Sequence, residues 1–424
     1  MLIHSSSQLL TLRGGPQRGH RLGDLGIVEN GAVVVRDESI VAVGTTDELR
    51  AAYPDEPTLD AGGCVLMPGF VDPHTHLIWA GDRADEFSMK MGGTPYLDIL
   101  AAGGGIISTV KATRTASLES LIAQTRPRLL RMFAHGTTTA EAKTGYGLSA
   151  ASELRLLQAL LALDDEGPLD LAITFLGAHA IAPEYKDNPQ DYADEVTNTM
   201  LPMLKGWWEN HAPHHALPFV DVFCENKAFT LKQSEQILKR AKELGFPLKI
   251  HADEFDNLGG ASLAAELGAA SADHLVKTSE ADIAALAKSD TVAVSLPCTP
   301  FGLAEQDYTP ARKLIEADAY LALATDCNPG TTWNESMQFV IALACRAMKL
   351  TPAQAIAAAT INSAHAIRRA DTIGSIEVGK RADLLILSVP DYRQVGYRYG
   401  TNLVKQVIKR GRVYSVDVGY YRTA

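Results

Sequence analysis

Short apolar runs of strand length recur through the middle of the chain, and stretches with helical spacing separate them. Eight such runs occupy 70–76, 137–144, 171–178, 219–224, 248–252, 271–276, 292–296 and 321–325. Between them, "TLKQSEQILKRAKELG" (230–245) and "LGGASLAAELG" (258–268) place apolar residues at helical intervals, the first stopping at Gly245. Runs of four to eight residues without alternation read as strands buried on both faces, the habit of parallel sheets. Eight βα units over about 300 residues predict a (β/α)8 barrel with insertions, in the α/β class. A doubly wound open sheet is the competing architecture.

The two ends follow a different rhythm. "GAVVVRDESIVAVG" (31–44) is two Val/Ile-rich runs broken at Asp37-Glu38-Ser39, which predicts a hairpin. "ADLLILSV" (382–389) and "VKQVIKRGRVYSV" (404–416) repeat the pattern, the latter turning at Arg410-Gly411. Neither end has enough strands for a stable sheet by itself. The reading is therefore a small β-sandwich domain built from 1–68 plus 371–424, with the barrel domain at 69–370 inserted.

Composition narrows the function classes. The net charge of −11 is spread without long acidic tracts, which argues against a nucleic-acid surface. An anionic substrate would need local cationic contacts. Five cysteines without a C-x-x-C point to neither a disulfide framework nor a zinc knuckle. "MLIHSSSQLLTLRGG" lacks the basic start and apolar core of a signal peptide, and no run of 18 apolar residues occurs. No membrane partner and a cytoplasmic location are expected.

The chemistry collects at the C-terminal ends of the eight runs. His74 and His76 follow the first, Lys143 and Tyr146 the second, His179 the third, and Glu225 the fourth. His251 and Glu254 follow the fifth, His274 the sixth, Asp326 and Asn328 the eighth. In a closed barrel these ends form one rim, where active sites are built. A lone H-x-H also occurs as two satisfied polar residues at a strand end. Four imidazoles and a carboxylate from four strands point instead to zinc or a similar borderline metal. His74, His76, His251 and Asp326 are the expected ligands of one ion per chain, zinc or iron. They leave a place for a water that the metal brings to a pKa near ~7. Glu254 is the expected proton carrier for a leaving nitrogen. His274 is either a fifth ligand or an electrophile facing a substrate carbonyl, and the second fits a four-ligand site better.

Three histidine-, glycine- or tryptophan-rich stretches are set aside. "HAPHH" (211–215) reads as a surface loop, and "GGG" (103–105) lacks phosphate-loop spacing and reads as a mobile segment at the pocket. Trp207, Trp208 and Leu204 raise the expectation of an exposed apolar patch at a subunit contact. Cys298 and Cys327, near strand ends, read as small packing residues.

H-T-H after the first strand, histidines on the fifth and sixth, and aspartate on the eighth resemble the amidohydrolase superfamily. "GSIEVGKRADLLIL" (374–387) is similar to the segment by which its members re-enter the small domain. Within it, "PGFVDPHTHLIWAGDRADEF", "GGGIISTVKATR", "GTTTAEAKTGYGL", "TFLGAHA", "HADEF" and "ATDCNPGT" together resemble the imidazolonepropionase family. That resemblance implies hydrolysis of the lactam C–N bond of 4-imidazolone-5-propanoate to N-formimidoyl-L-glutamate, in histidine degradation. It implies that Arg83 grips the propionate, that Tyr96, Tyr146 and His179 donate to the tail or flank the ring, and that Asn328, Gly330 and Thr331 present further donors. On the same basis Glu254 contacts a ring nitrogen, the catalytic set is Glu254, His274 and Asp326, and the protein is a homodimer.

The fourth run departs from binuclear members of the superfamily. It ends "FCENKAF", with Glu225 where they carry a carboxylated lysine and Lys227 two further on. One metal is favoured, with Glu225 open as an extra ligand. Two rival functions stay open. A deaminase of an aminated heterocycle would share the metal residues but give no reason for Arg83. A non-enzymatic metabolite-binding barrel would keep the metal for structure alone.

Overall fold

The computed structural model describes residues 1–94 and 104–416. Eight parallel strands form its centre: β1 (Phe70–Asp72), β2 (Thr137–Lys143), β3 (Asp170–Ala178), β4 (Phe219–Cys224), β5 (Lys249–Ala252), β6 (Ser271–His274), β7 (Val292–Ser295) and β8 (Leu321–Leu323). Each pairs with its neighbour in sequence order, and nearly every strand residue is buried, as unbroken apolar runs require. Helices return the chain between strands. The one at Leu231–Glu243 starts on a capping box, Thr230 with Gln233, and Gly245 follows it in the left-handed region. The next, Gly260–Leu267, ends on left-handed Gly268. The predicted barrel is present.

The barrel closes through the segment after β1. Thr75 bridges Cys327 in parallel, the His76 amide donates to the Cys327 carbonyl at 2.9 Å, and the Asp326 amide donates to the His74 carbonyl at 3.1 Å. The first strand was expected to run to residue 76, but its ladder stops at Asp72. Pro73 has no N–H to continue it. The Asp72 carboxylate bridges the gap by accepting the Thr325 amide at 3.1 Å and the Thr325 hydroxyl. That diversion also ends β8 before Thr325. β6 ends at His274, whose φ of 80° is followed by 61° at Leu275, so the chain leaves the sheet there rather than at residue 276.

The terminal strands form two further sheets. One has four strands in the order Ser39–Thr45, Gly31–Arg36, Leu2–His4, Thr58–Asp60. The other has six, in the order Arg412–Ser415, Val404–Lys409, Leu384–Leu387, Leu66–Pro68, Gln8–Leu10, Ile27–Glu29, and so mixes both ends of the chain. Both expected hairpins are there. Alternation gives the six-stranded sheet two apolar faces. Leu9, Leu66, Leu384, Ile386 and Ile408 share a cluster with Ile3, Val33, Val35 and Ile40 of the smaller sheet. Leu10, Met67, Leu385, Leu387 and Val407 belong instead to the cluster that contains the barrel core.

"HAPHH" lies at the end of helix Leu201–His211 and in the loop beyond it, with His211 and His214 exposed. The expected apolar patch beside it is absent. Leu204 and Trp208 are buried in the core, and Trp207 stacks on the His211 ring. No helix among the described residues is long and apolar enough to cross a membrane.

Candidate metal centre and active site

Closing the barrel at Thr75 and Cys327 brings the histidines after β1 against Asp326 after β8. His74 Nε2 and His76 Nε2 each lie 3.5 Å from Asp326 Oδ1, and His76 Nε2 lies 3.3 Å from His251 Nε2. Donors held at ~2.0–2.2 Å around one tetrahedral ion stand about 3.3–3.6 Å apart, so the spacing is that of a ligand shell. His74 Nε2 and Asp326 Oδ1 are buried without a hydrogen-bond partner. Burial, reinforced for His74 by Lys143 and for His76 by His179, holds both imidazoles well below the ordinary histidine range, so their ring lone pairs stay free. The donor set fits a divalent metal. His274 also comes within ligand range: its nitrogen and those of His74 and His251 lie within 4.8 Å of one another, as do the ligand atoms of His74, His76 and Asp326. His274 and Asp326 hold φ of 80° and 53°, strain of a kind that collects where side-chain aim matters.

Behind the imidazoles lies a layer of buried charge. His74 Nδ1 donates to Asp273 Oδ2 at 2.7 Å, and His251 Nδ1 lies 3.0 Å from Asp221 Oδ2. The Asp273 carboxylate fixes the His74 tautomer and orientation, while Asp221 stands beside His251 as a counter-charge. Lys143 donates to Glu141 at 2.7 Å and Asp221 at 2.8 Å, and lies 3.7 Å from Asp273. Lys249 lies 3.6 Å from Asp273 and donates to the Pro73 carbonyl at 2.6 Å. Burial would raise Asp221, but His251 and Lys143 outweigh it and hold that carboxyl below its usual range. Lys143, read from sequence as a rim residue, is instead fully enclosed in this layer. Asp273→Asn keeps an acceptor on His74 but removes the charge. A loss of about 10- to 100-fold in metal affinity is expected, read by competition with a chelator of known affinity.

Glu254 Oε2 stands 3.6 Å from His274 Nδ1. Burial, helped by the nearby Asp326 and Glu225 charges, raises its carboxyl well above the usual range, the direction a proton carrier requires. Glu225, left open from sequence as a ligand, is committed elsewhere: its two oxygens accept the amides of Asn226 (2.8 Å), Phe255 (2.9 Å) and Asp256 (3.2 Å). It shapes the loop that carries Glu254.

Other predicted residues line the same rim. The His179 ring stacks on His76 at 4.7 Å, and Tyr146 packs on His179 at 5.3 Å. His179 Nδ1 lies 3.1 Å from the Gly145 carbonyl and therefore carries the ring proton. Burial, with His251 beside it, pulls His179 down to about 3, so Nε2 is an acceptor; of the two roles expected from sequence, donating to the tail or flanking the ring, the stack on His76 suits the second. The expectation for Asn328, Gly330 and Thr331 also changes. Asn328 Oδ1 accepts the amides of Gly330 (2.8 Å) and Thr331 (2.9 Å), while its amino group donates to the Asp326 carbonyl (2.7 Å) and Thr331 Oγ1 (3.0 Å). These donors hold the loop's shape instead of projecting from it. A Cβ at Gly330 would lie 2.2 Å from Arg83 Nη1, so glycine there lets the guanidinium approach. Tyr96 falls outside the described residues.

Asp221, Asp273, Lys249 and Glu86 (the last paired with Arg83) escaped the sequence reading. The first three carried a usable signal, since each is a charge inside a strand run otherwise apolar enough to be buried on both faces. Nothing local distinguishes Glu86 from its acidic neighbours.

The model of the amidohydrolase family matches residues 65–414. This chain belongs to the amidohydrolase family. An imidazolonepropionase-like composite domain of bacteria matches 31–55. The imidazolonepropionase of Herpetosiphon aurantiacus is 53% identical over 97% of this chain and 96% of its own length. That of Symbiobacterium thermophilum is 46% identical over 100% and 98%. An adenosine deaminase from Xanthomonas campestris, solved with bound zinc, shares the fold at a TM-score of 0.68 with 21% identity, covering 98% of this chain and 92% of that one.

Proposed function

We propose that this amidohydrolase opens the lactam ring of 4-imidazolone-5-propanoate to N-formimidoyl-L-glutamate. The observation that carries the reaction is a buried Glu254, 3.6 Å from His274, beside a cluster of ligand-spaced imidazoles and Asp326. The imidazolonepropionase relatives support the substrate, as does the Arg83 guanidinium lying against Gly330 of the loop after β8.

His74, His76, His251 and Asp326 would hold one ion per chain. Zinc and iron both suit three imidazoles and a carboxylate, and zinc is bound in the Xanthomonas deaminase. When bound, the ion supplies Lewis acidity and lowers the pKa of a water toward ~7. Asp326, whose Oδ2 accepts the Thr299 hydroxyl, accepts a proton from the attacking water. His274 polarises the ring carbonyl and stabilises the developing oxyanion. Glu254 passes its proton to the departing ring nitrogen. Tyr146 and the His179–His76 stack flank the planar ring, and His179 Nε2 accepts from a ring N–H. The products are a carboxylate and a formimidoyl group.

Residues 69–370 form the catalytic unit in this account, flanked by a β-unit from 1–68 and 371–424. The assembly is a cytoplasmic homodimer.

Arg83 separates this reading from a deaminase. Losing a charge-assisted carboxylate contact costs about 1.5–3 kcal/mol, so Arg83→Ala should raise KM roughly 10- to 150-fold with kcat little changed. Steady-state kinetics on the imidazolone propionate checks this. An unchanged KM would favour a substrate without an anionic tail.

A further inference from the structure

We propose that Glu86 is a positioning residue that presents Arg83 to an anionic substrate tail. This rests on the reading of Arg83 given above. Arg83 caps the helix Ala84–Met91, which buries none of its residues and exposes Phe87, Met89 and Met91. Among the described residues, the contacts that tie this helix to its surroundings include those of Glu86, on its first turn. Its Oε2 accepts Arg83 Nε at 2.9 Å, lies 2.8 Å from Arg83 Nη2, and accepts the Gly105 amide at 3.1 Å. Its Oε1 accepts the Ser108 hydroxyl at 2.9 Å. One carboxylate thus joins Arg83 to the start of the helix Ile106–Thr115 across the rim.

The pattern determines what Arg83 has left to offer. A guanidinium has five N–H donors in a fixed plane. Glu86 takes the Nε–H and one Nη2–H, leaving three, of which one Nη1–H and one Nη2–H lie side by side on the outer edge. Nη1 in turn lies against Gly330, where a Cβ would come within 2.2 Å. One edge is held by Glu86, Nη1 lies close to Gly330, and the outer edge carries the paired donors that match a carboxylate. Side-chain entropy that Arg83 would lose on binding an anion is lost in advance.

The proposal predicts a direction opposite to that of simple charge. Were Glu86 only a counter-charge, its removal would strengthen the pull on an anionic tail and lower KM. As a positioning residue, its removal raises KM.

The test is a double-mutant cycle on the metal-loaded enzyme with imidazolone propionate, using Glu86→Ala, Arg83→Ala, both together, and Glu86→Gln. Expected are a KM about 10-fold higher in Glu86→Ala with kcat within about twofold, and almost no further KM change when Glu86→Ala is added to Arg83→Ala. Glu86→Gln, which keeps an oxygen facing the guanidinium, should recover most of the lost KM. A lower or unchanged KM in Glu86→Ala, with KM raised in Arg83→Ala, overturns the positioning role and leaves the Arg83 reading standing. Equal losses on both backgrounds also overturn it, since Glu86 would then serve only to hold the segment in place. An unchanged KM in Arg83→Ala removes both.

Discussion

His74→Ala is expected to yield a folded protein that holds far less than one metal per chain and has lost on the order of 10³-fold or more in kcat/KM. His74 is the residue on which the cluster depends most. Its Nε2 faces Asp326 and the other imidazoles without a hydrogen-bond partner, while its Nδ1 is fixed by Asp273. Alanine removes a ligand and leaves Asp273 with a buried, partly unpaired charge, although Lys249 and Lys143 stand 3.6 Å and 3.7 Å away and limit the damage. The melting temperature should therefore fall without loss of the cooperative transition. Metal content by elemental analysis, measured beside kcat/KM and thermal unfolding, checks all three. A fully metal-loaded His74→Ala enzyme with undiminished turnover would show that the cluster is not the metal centre.

The second large effect belongs to Glu254→Gln. The amide preserves shape but carries no transferable proton, so kcat should drop about 10²- to 10⁴-fold. KM and metal content should stay close to those of the parent, because Glu254 stands outside the four-ligand set. The combination distinguishes a proton carrier from a residue that acts through the metal site. The latter would lose metal together with rate. A proton carrier loses rate alone, and the same elemental analysis beside single-turnover kinetics separates them.

Much of the architecture was legible in the sequence because its cause is local. Runs buried on both faces must be continuously apolar, so all eight barrel strands could be placed, and the capping box at Thr230 and the glycine stops marked helix ends. The errors were at boundaries set by distant residues. Pro73 ends β1, yet what repairs the barrel there is the Asp72 carboxylate reaching Thr325, a partner about 250 positions away by sequence number. Residue type at strand ends pointed to His74, His76, His251, His274 and Asp326, and these do converge. The finer roles depended on hydrogen-bond partners that spacing cannot reveal. The Gly145 carbonyl makes His179 an acceptor, Asn328 spends its amide on its own loop, and Glu225 is occupied by backbone amides. The carboxylates behind the imidazoles were visible only as charges out of place in apolar strands.

The most direct measurement follows the ultraviolet absorbance of freshly prepared imidazolone propionate with purified protein of known metal content, with and without a chelator, and identifies the product. The account predicts turnover that a chelator abolishes and added zinc or iron restores, with N-formimidoyl-L-glutamate as the product. Metal-loaded protein that leaves this compound intact, yet releases ammonia from an aminated heterocycle, would contradict it.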